Sequence, residues 1–373
     1  MTEISHDIIL ESGKYKNLSI TNTDPEVVLN LYRFMLRLRR LQEQIINQYH
    51  PADQIRCPVH FCIGQEAVPA AISQLIGTDD FLFGPHRSHG YYLAKGGSMK
   101  ALLAELYGRQ TGANGGKTGS QEISVPAIKF YSGAILSGLL AIAVGVGLGF
   151  KLKNQNNVAV VGFGDGAIDE GIFWEAITYA QLAKLPVVFV CENNRYSTYS
   201  PQLKRQPKDD IHTRVEAFGL MTQSLFGNDV IAVMSAMSRA LEYARSEKGP
   251  AFIETYTYRW KGHVGPEDDD YIGYRPQSEL DFWKDNCPIA LLEEQMTARN
   301  LIKPALKQKL LADIDKEIAE AFEFAKNSPF PTDQDWENLN YNNSSSLADK
   351  LLQDTINSEQ FNQNQLETVP APY

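Results

Sequence analysis

The hydrophobic pattern along the chain predicts helices flanking a central stretch in which strands and helices alternate. In residues 25–49, PEVVLNLYRFMLRLRRLQEQIINQY, apolar residues recur at helical spacing, and Asp24 can cap that helix. Two apolar runs follow, VAVVG at 158–162 and PVVFVC at 186–191, and such runs are typical of strands buried on both faces of a parallel sheet. A helical segment at about 170–185 separates them, so together they predict a βαβ unit.

The remaining pattern extends this unit. A helical segment at 230–247 leads to a third strand at 251–257, and residues 289–325 predict two helices broken near Pro304. The stretch 135–150 is apolar, rich in Gly and Ala, and slightly too short to span a bilayer, so we expect a buried core helix. The fold class that follows is α/β, a mostly parallel sheet with helices on both faces.

Composition shifts divide the chain into three parts. We expect residues 1–23 to be a mobile or loosely docked N-terminal arm and residues 24–340 to form the α/β domain. Residues 341–373 are rich in Asn, Gln and Ser, which predicts a flexible C-terminal tail. Within the domain, GRQTGANGGKTGSQ at 108–121 is a long glycine-rich loop, and long loops in compact domains usually carry function.

Charge and cysteine usage limit the function classes. The net charge of −10 argues against nucleic acid or an anionic membrane as the main partner, because a phosphate surface needs clustered Lys and Arg. The four cysteines show no CxxC spacing, which favours a reducing compartment. The N-terminus has acidic residues and no long apolar run, so we expect neither a signal nor a transit peptide and predict a cytoplasmic protein.

The loop after the first strand of the βαβ unit, GFGDGA at 162–167, carries the strongest chemical signal. It matches G-x-G-x-x-[GA], and Glu192 ends the next strand, as a Rossmann dinucleotide site would require. However, Asp165 would repel a pyrophosphate unless a cation lay between them. Glu192 also lies 30 residues after Gly162, against about 20 in the usual fingerprint.

A metal site explains these residues better. Asp165 follows one strand, and Asn194 follows the next strand along the chain. Since the carboxyl ends of adjacent parallel strands lie close together, the acid and the amide can share one Mg²⁺ that also binds diphosphate oxygens. The glycines of the loop allow the backbone to approach phosphates, and the following helix adds a favourable dipole.

The sequence G-D-G-A, followed about thirty residues later by C-E-N-N-x-Y, resembles the thiamine-diphosphate motif of the α subunits of 2-oxo acid dehydrogenase E1 components. The resemblance implies a thiamine-diphosphate-binding, transketolase-like fold with thiamine diphosphate and Mg²⁺ as cofactors. It implies that Asp165 and Asn194 bind the metal through their side chains and Tyr196 through its carbonyl. It also implies that Gly166 and Ala167 donate backbone N–H groups to the diphosphate.

Two upstream segments resemble the same family. HFCIGQEA at 60–67 is similar to H-x-x-x-G-Q-E-A, which implies that His60 faces the thiazolium and the substrate in a catalytic role. HRSHG at 86–90 is similar to Tyr-Arg-x-His, which makes Arg87 the expected diphosphate ligand. His86 stands where the family has tyrosine, so its contact with the diphosphate is an open question.

Two further segments complete the likeness. FYSGAILSG at 130–138 is similar to the turn that holds the aminopyrimidine ring, with Leu136 as the residue that bends the cofactor and Ala134 as a backbone contact. YRWKGHVGPEDD at 258–269 is similar to Y-R-x-x-G-H-S-x-x-D, which implies that His263 lies on the diphosphate side of the site, with a catalytic role.

The resemblance implies partners as well. In this family a separate β subunit supplies the glutamate that polarises the aminopyrimidine, so we expect an α₂β₂ assembly. The implied substrate is a 2-oxo acid (or acetoin), with a lipoyl acyltransferase as acceptor of the acyl group. Two alternatives remain open at this point: a two-chain thiamine-diphosphate enzyme with another acyl fate, such as carboligation, and a Rossmann-type nicotinamide-dependent oxidoreductase.

Overall fold

The computed structural model describes residues 5–335, except residues 53 and 56, together with residue 350. Its contacts divide the chain into two compact units, with the boundary between Phe330 and Pro331. In its described residues the second unit contains a short 3-10 turn at Asp333–Asp335. The predicted tail, 341–373, lies outside the described residues apart from residue 350, and the division into 1–23, 24–340 and 341–373 stays a prediction.

In its described residues the first unit contains thirteen α-helices and nine strands. The helices are α1 (His6–Glu11), α2 (Pro25–Ala52), α3 (Ala67–Leu75), α4 (His89–Ala94), α5 (Met99–Leu106), α6 (Gly138–Leu152), α7 (Gly171–Leu182), α8 (Gln202–Arg205), α9 (Ile211–Glu216), α10 (Val230–Arg245), α11 (Gln277–Asp285), α12 (Pro288–Ala298) and α13 (Pro304–Asn327). The strands are β1 (Phe81–Gly84), β2 (Ser124–Val125), β3 (Phe130–Ser132), β4 (Ala159–Gly164), β5 (Val187–Asn193), β6 (Tyr196–Ser197), β7 (Ser200–Pro201), β8 (Met221–Phe226) and β9 (Ala251–Tyr256).

Seven strands form one sheet in the order β2-β3-β1-β4-β5-β9-β8. All neighbouring pairs are parallel except β2 and β3, which are antiparallel. The predicted βαβ unit is β4–α7–β5, and its two strands pair from Ala159 opposite Val187 to Gly164 opposite Glu192. β6 and β7 form a separate antiparallel hairpin after β5.

The two faces of the sheet bury two separate cores, because successive side chains of a strand point to opposite faces. Val160 and Val188 pack into the core formed with α2, α3 and α10. Val161 and Phe189 pack into the core formed with α6, α7 and α9. The structure therefore confirms the predicted α/β class, with a mostly parallel sheet and helices on both of its faces.

The prediction of a buried core helix at 135–150 is wrong in part. One face of α6 packs against the sheet, with Leu140 and Ala143 fully buried. The opposite face is open: Ala141 and Gly145 are exposed, and Ile142 is 54% exposed. The physical reason is that α6 is apolar on all sides, so its pattern could not show which face this chain leaves uncovered. Among the described helices, none is long and apolar enough to cross a membrane.

The carboxyl ends of β4 and β5 determine where functional groups gather. β4 runs directly into a 3-10 turn at Asp165–Asp169, which α7 follows. β5 ends at Asn193 and is followed by the β6–β7 hairpin. Open α/β sheets bind ligands at this edge, and the loops that carry the motifs meet here.

Candidate active site

The ends of β4 and β5 bring together the two side chains predicted to bind a metal. Gly164 pairs with Glu192, so Asp165 and Asn194 leave the same edge of the sheet one and two residues later. The chain then turns sharply, because Arg195 adopts a left-handed conformation with φ of 71°. The Asn194 Oδ1 atom accepts a hydrogen bond from the Tyr196 backbone N–H at 3.2 Å, which orients the amide.

All of the site residues predicted from the sequence line one cavity of about 230 Å³. The eleven residues are His60, His86, Arg87, Ala134, Leu136, Asp165, Gly166, Ala167, Asn194, Tyr196 and His263. Four residues that were not predicted as site residues also line it, namely Gln121, Gly164, Ser197 and Thr198, of which Gln121 and Gly164 belong to the loops at 108–121 and 162–167. The eleven predicted residues come from six separate segments of the chain, and the role of each stays a prediction.

Three histidines form a cluster on one wall of the cavity. The ring centroid of His60 lies 4.9 Å from the ring centroid of His86 and 4.9 Å from that of His263. One ring nitrogen of each histidine lies within 4.8 Å of the other two. Burial, and after it the Arg87 charge, lowers the pKa of His60 to about 3 and that of His263 to about 4. The same causes hold the pKa of His86 well below its ordinary value. All three imidazoles are therefore neutral at pH 7.

Arg87 supplies positive charge beside this cluster. It is buried, and its guanidinium donates to the Phe61 carbonyl at 2.7 Å and to the His263 carbonyl at 2.9 Å. Burial, and after it the charge of Arg259, lowers the pKa of Arg87 to about 9, so the side chain remains charged at neutral pH. Two polar atoms here, Arg87 Nε and His60 Nδ1, have no hydrogen-bond partner among the described residues. The unpaired Arg87 N–H, a buried charged donor, is suited to an anionic ligand.

The cavity is also lined by residues with oxygen ligands. The Asp165 carboxylate, the Asn194 amide oxygen and the Tyr196 carbonyl are hard ligands of the kind that Mg²⁺ prefers, so the residues present fit the metal. Gly166 is required by close packing: a Cβ there would lie 2.7 Å from Ser197 Oγ on the β6–β7 hairpin.

Arg205, at the end of α8, is a residue of this site that sequence reasoning missed. Its guanidinium donates to the carboxylates of both Asp165 and Asp169. Gln206 adds a hydrogen bond to the Asp165 carbonyl at 3.0 Å. Burial raises the pKa of the Asp165 carboxyl, and the Arg205 charge opposes that rise. No motif spacing pointed to Arg205, because the folding of the hairpin brings it back to the turn.

Glu192 has a different position from the one that a dinucleotide site would need. Its carboxylate is buried and accepts hydrogen bonds from Tyr91 Oη at 2.9 Å and Gln65 Nε2 at 3.3 Å. Burial raises its pKa to about 7. Because both oxygens are occupied within the core and Glu192 does not line the cavity, it is not available to bind a ribose hydroxyl. The arrangement therefore does not support the Rossmann alternative.

Comparison with known proteins gives a consistent result. The family described as "Dehydrogenase E1 component" matches residues 33–334. The pyruvate dehydrogenase E1 component subunit alpha of Rickettsia bellii is 31% identical over 327 residues, which cover 87% of this chain and 97% of the relative. The proteins of the same name from Zymomonas mobilis and Rhizobium meliloti are 32% and 34% identical, over 89% and 84% of this chain and 91% and 89% of their own lengths.

Proposed function

This chain belongs to the dehydrogenase E1 component family, and from that premise we propose that it is the α subunit of a two-chain thiamine-diphosphate-dependent 2-oxo acid dehydrogenase. The observation that carries the proposal is the convergence of eleven motif residues from six segments on one cavity. Residues with oxygen ligands line that cavity, and so do neutral histidines and a buried arginine. A magnesium-bound diphosphate needs these two kinds of group.

Each end of the cofactor has its own residues in this proposal. Asp165, Asn194 and the Tyr196 carbonyl hold Mg²⁺, while Arg87 and the backbone of Gly166 hold the diphosphate. Ala134 and Leu136 support the aminopyrimidine end, with Leu136 keeping the cofactor bent. Thiamine diphosphate, when bound, supplies the carbon nucleophile and the electron sink for decarboxylation.

The histidines act on the substrate and on protons. His60 is neutral at pH 7 because of its low pKa, so it can orient the carboxylate or carbonyl oxygen of a 2-oxo acid through a ring N–H. His263 and His86 face the same space. A bound diphosphate raises the proton affinity of these rings, because negative charge favours the imidazolium form. His60 and His263 are therefore the groups that we assign to proton transfer.

The open face of α6 supports the need for a second chain. It exposes Ile142 at 54%, and the neighbouring α7 exposes Leu182 at 81%. Apolar surface of this kind marks an interaction site. Asp165 is the only carboxylate among the described residues that line the cavity, and Glu122 accepts a hydrogen bond from the Ala134 backbone N–H at 2.8 Å without lining it, so no lining residue is left to supply the carboxylate that would polarise the aminopyrimidine. We therefore propose a β subunit that covers the cavity and contributes that carboxylate, in an α₂β₂ assembly.

The substrate and the acyl acceptor are finer proposals. The relatives named above are pyruvate dehydrogenase subunits, so pyruvate is the first 2-oxo acid to assay, with a lipoyl acyltransferase as the acceptor. Carboligation in a biosynthetic pathway is the second candidate, because the same site can pass the acyl group to another carbonyl. An assay that follows both lipoyl acylation and carbon–carbon bond formation distinguishes the two fates.

The experiment that tests the proposal is titration of the reconstituted two-chain complex with thiamine diphosphate, with and without Mg²⁺. We expect binding that requires Mg²⁺ and that Asp165→Ala abolishes, because the variant loses a buried metal ligand. Asp79→Ala is the matched control, since Asp79 is a surface acid before β1, at the opposite edge of the sheet. Metal-independent binding, or unchanged binding by Asp165→Ala, would overturn the proposal.

A further inference from the structure

The N-terminal helix α1 packs next to the predicted metal-binding turn. Its first residue, His6, is buried at 1% exposure although the helix spans only residues 6–11. The imidazole packs edge-on against the ring of Tyr256, with centroids 4.8 Å apart, and against Trp283 at 6.2 Å. A histidine of the arm is thus part of the interior beneath the carboxyl end of β5.

His6 makes polar contacts with the end of that strand. Its Nε2 atom lies 3.2 Å from the carbonyl oxygen of Asn193. Its Nδ1 atom and its backbone N–H lie 3.1 Å and 2.7 Å from Asp209 Oδ2. Although burial opposes it, hydrogen bonding to His6 holds the pKa of Asp209 below its ordinary value. Asp209 in turn accepts from the Asn193 amide at 3.3 Å, so His6, Asp209 and Asn193 form a closed set of contacts.

Asp7, the next residue of α1, contacts the residue that follows Asn194 in the turn. Asp7 accepts a hydrogen bond from the Arg195 guanidinium at 2.9 Å. The same guanidinium donates to Glu279 at 3.1 Å, which ties the turn to α11 as well. Arg195 is the residue with the left-handed backbone, at φ of 71°. A non-glycine residue persists in this conformation when its surroundings hold it there.

We infer that α1 is a clamp that positions Asn194 for the metal: His6 holds Asn193 and Asp7 holds Arg195, the residues on both sides of the ligand. The inference rests on the proposed function, because it concerns the same metal site. Residues that contact and orient the metal ligands, without contacting the metal themselves, determine much of the metal affinity. Because coupling between two equilibria is reciprocal, Mg²⁺ with thiamine diphosphate must also stabilise the docked arm.

The first test uses the ligand-free protein. The amide protons of Arg195 and Tyr196 donate to the side chains of Asn193 and Asn194. In His6→Ala we expect these two amides to exchange with deuterium faster than in the wild type, because the turn has lost one of its supports. Unchanged exchange at both amides would contradict the clamp, and this result does not depend on any cofactor.

The second test measures Mg²⁺ affinity of the reconstituted complex at saturating thiamine diphosphate. From the usual effect of removing a residue that orients a metal ligand, we expect His6→Ala to weaken Mg²⁺ binding by roughly 10-fold or more, measured well below a thermal midpoint that the loss of a buried side chain should lower. His6→Gln, which keeps one donor, should restore part of the affinity. Asp7→Asn should have a smaller effect, because Asp7 is exposed.

Lys14→Gln is the matched control, since Lys14 lies in the same arm but pairs at the surface with Glu294. Equal Mg²⁺ affinity in His6→Ala and the wild type would overturn the inference, as would equal losses in His6→Ala and Lys14→Gln. A wild-type complex that binds no thiamine diphosphate would instead count against the proposed function. In the wild type, Mg²⁺ and thiamine diphosphate together should slow amide exchange in residues 6–11.

Discussion

At the scale of single residues, the surroundings of the three cavity histidines decide their charge. His60 and His263 have pKa values lowered to about 3 and about 4, chiefly by burial and then by the nearby Arg87 charge. In the ligand-free site both imidazoles therefore stay neutral at pH 7, and a negatively charged ligand would raise their pKa values. The same arginine also joins the segment of His60 to the segment of His263 through two backbone carbonyls. Its replacement would disturb both segments at once.

These shifts predict how stability depends on pH. An unfolded histidine has a pKa near 6.5, above the values of His60 and His263 in the folded chain, so the unfolded chain binds more protons below that pH. The free energy of unfolding should therefore fall as the pH falls from about 7 to 5, by up to about 1.4 kcal/mol per pH unit for His60 and by less for the partly exposed His263. Denaturant unfolding of the wild type and of His60→Asn across this pH range measures the effect. The free energy of unfolding should depend less steeply on pH in the variant. Parallel slopes would contradict the prediction.

Much of the cavity could be predicted residue by residue because its members lie in short motifs at fixed spacing. Asp165 and Asn194 follow recognisable buried strands, so their proximity followed from the βαβ geometry. Arg205 and His6 could not be found in this way, since long-range folding alone brings each of them to the turn at Asp165 or Asn193. Neither has a sequence neighbour that signals a role in the site.

At the scale of elements, prediction succeeded where burial was complete. β4, β5 and β9 are almost completely buried, each contains an apolar run, and each was expected within one or two residues. β8, MTQSLF, is an edge strand whose residues are mostly half-buried, so polar and apolar residues mix and no clear run marks it. The short strands β2, β6 and β7 have two residues each, too few to leave any periodic signal.

Helix α6 gives a prediction at this scale. Gly145 lies on its exposed face, and a Cβ there would meet no atom within 4 Å in this chain. Gly145→Ala should therefore stabilise the isolated chain, by about 1 kcal/mol at most, because alanine is the better helix former. In the two-chain complex the added methyl group should weaken assembly if a partner packs closely on this face. Thermal unfolding of the isolated chain and sedimentation of the complex measure the two effects, and unchanged assembly would indicate that the face is not covered.

At the scale of the whole molecule, we propose that the chain carries the metal-binding part of a cavity that a second chain completes. We expect the isolated chain to bind thiamine diphosphate weakly, and the β chain to strengthen binding by at least roughly 10-fold, because it would add contacts and exclude water. Calorimetry with and without the β chain measures this. Decarboxylation of a 2-oxo acid by the isolated chain at an ordinary enzymatic rate would show that the second chain is not required.

The two ends of the parallel strands have different roles in this molecule: the cavity lies at one end, and contacts that stabilise the fold lie at the other. At the amino ends of the strands, Asp80 accepts hydrogen bonds from the backbone of Gly77 and Val158 and from Arg245 on α10. These contacts fasten the chain far from the cavity, which lies at the carboxyl ends. Heat tolerance and substrate choice can therefore be altered separately. Substitutions at the amino ends of the strands should change the thermal stability, and substitutions at the carboxyl ends should change the substrate specificity.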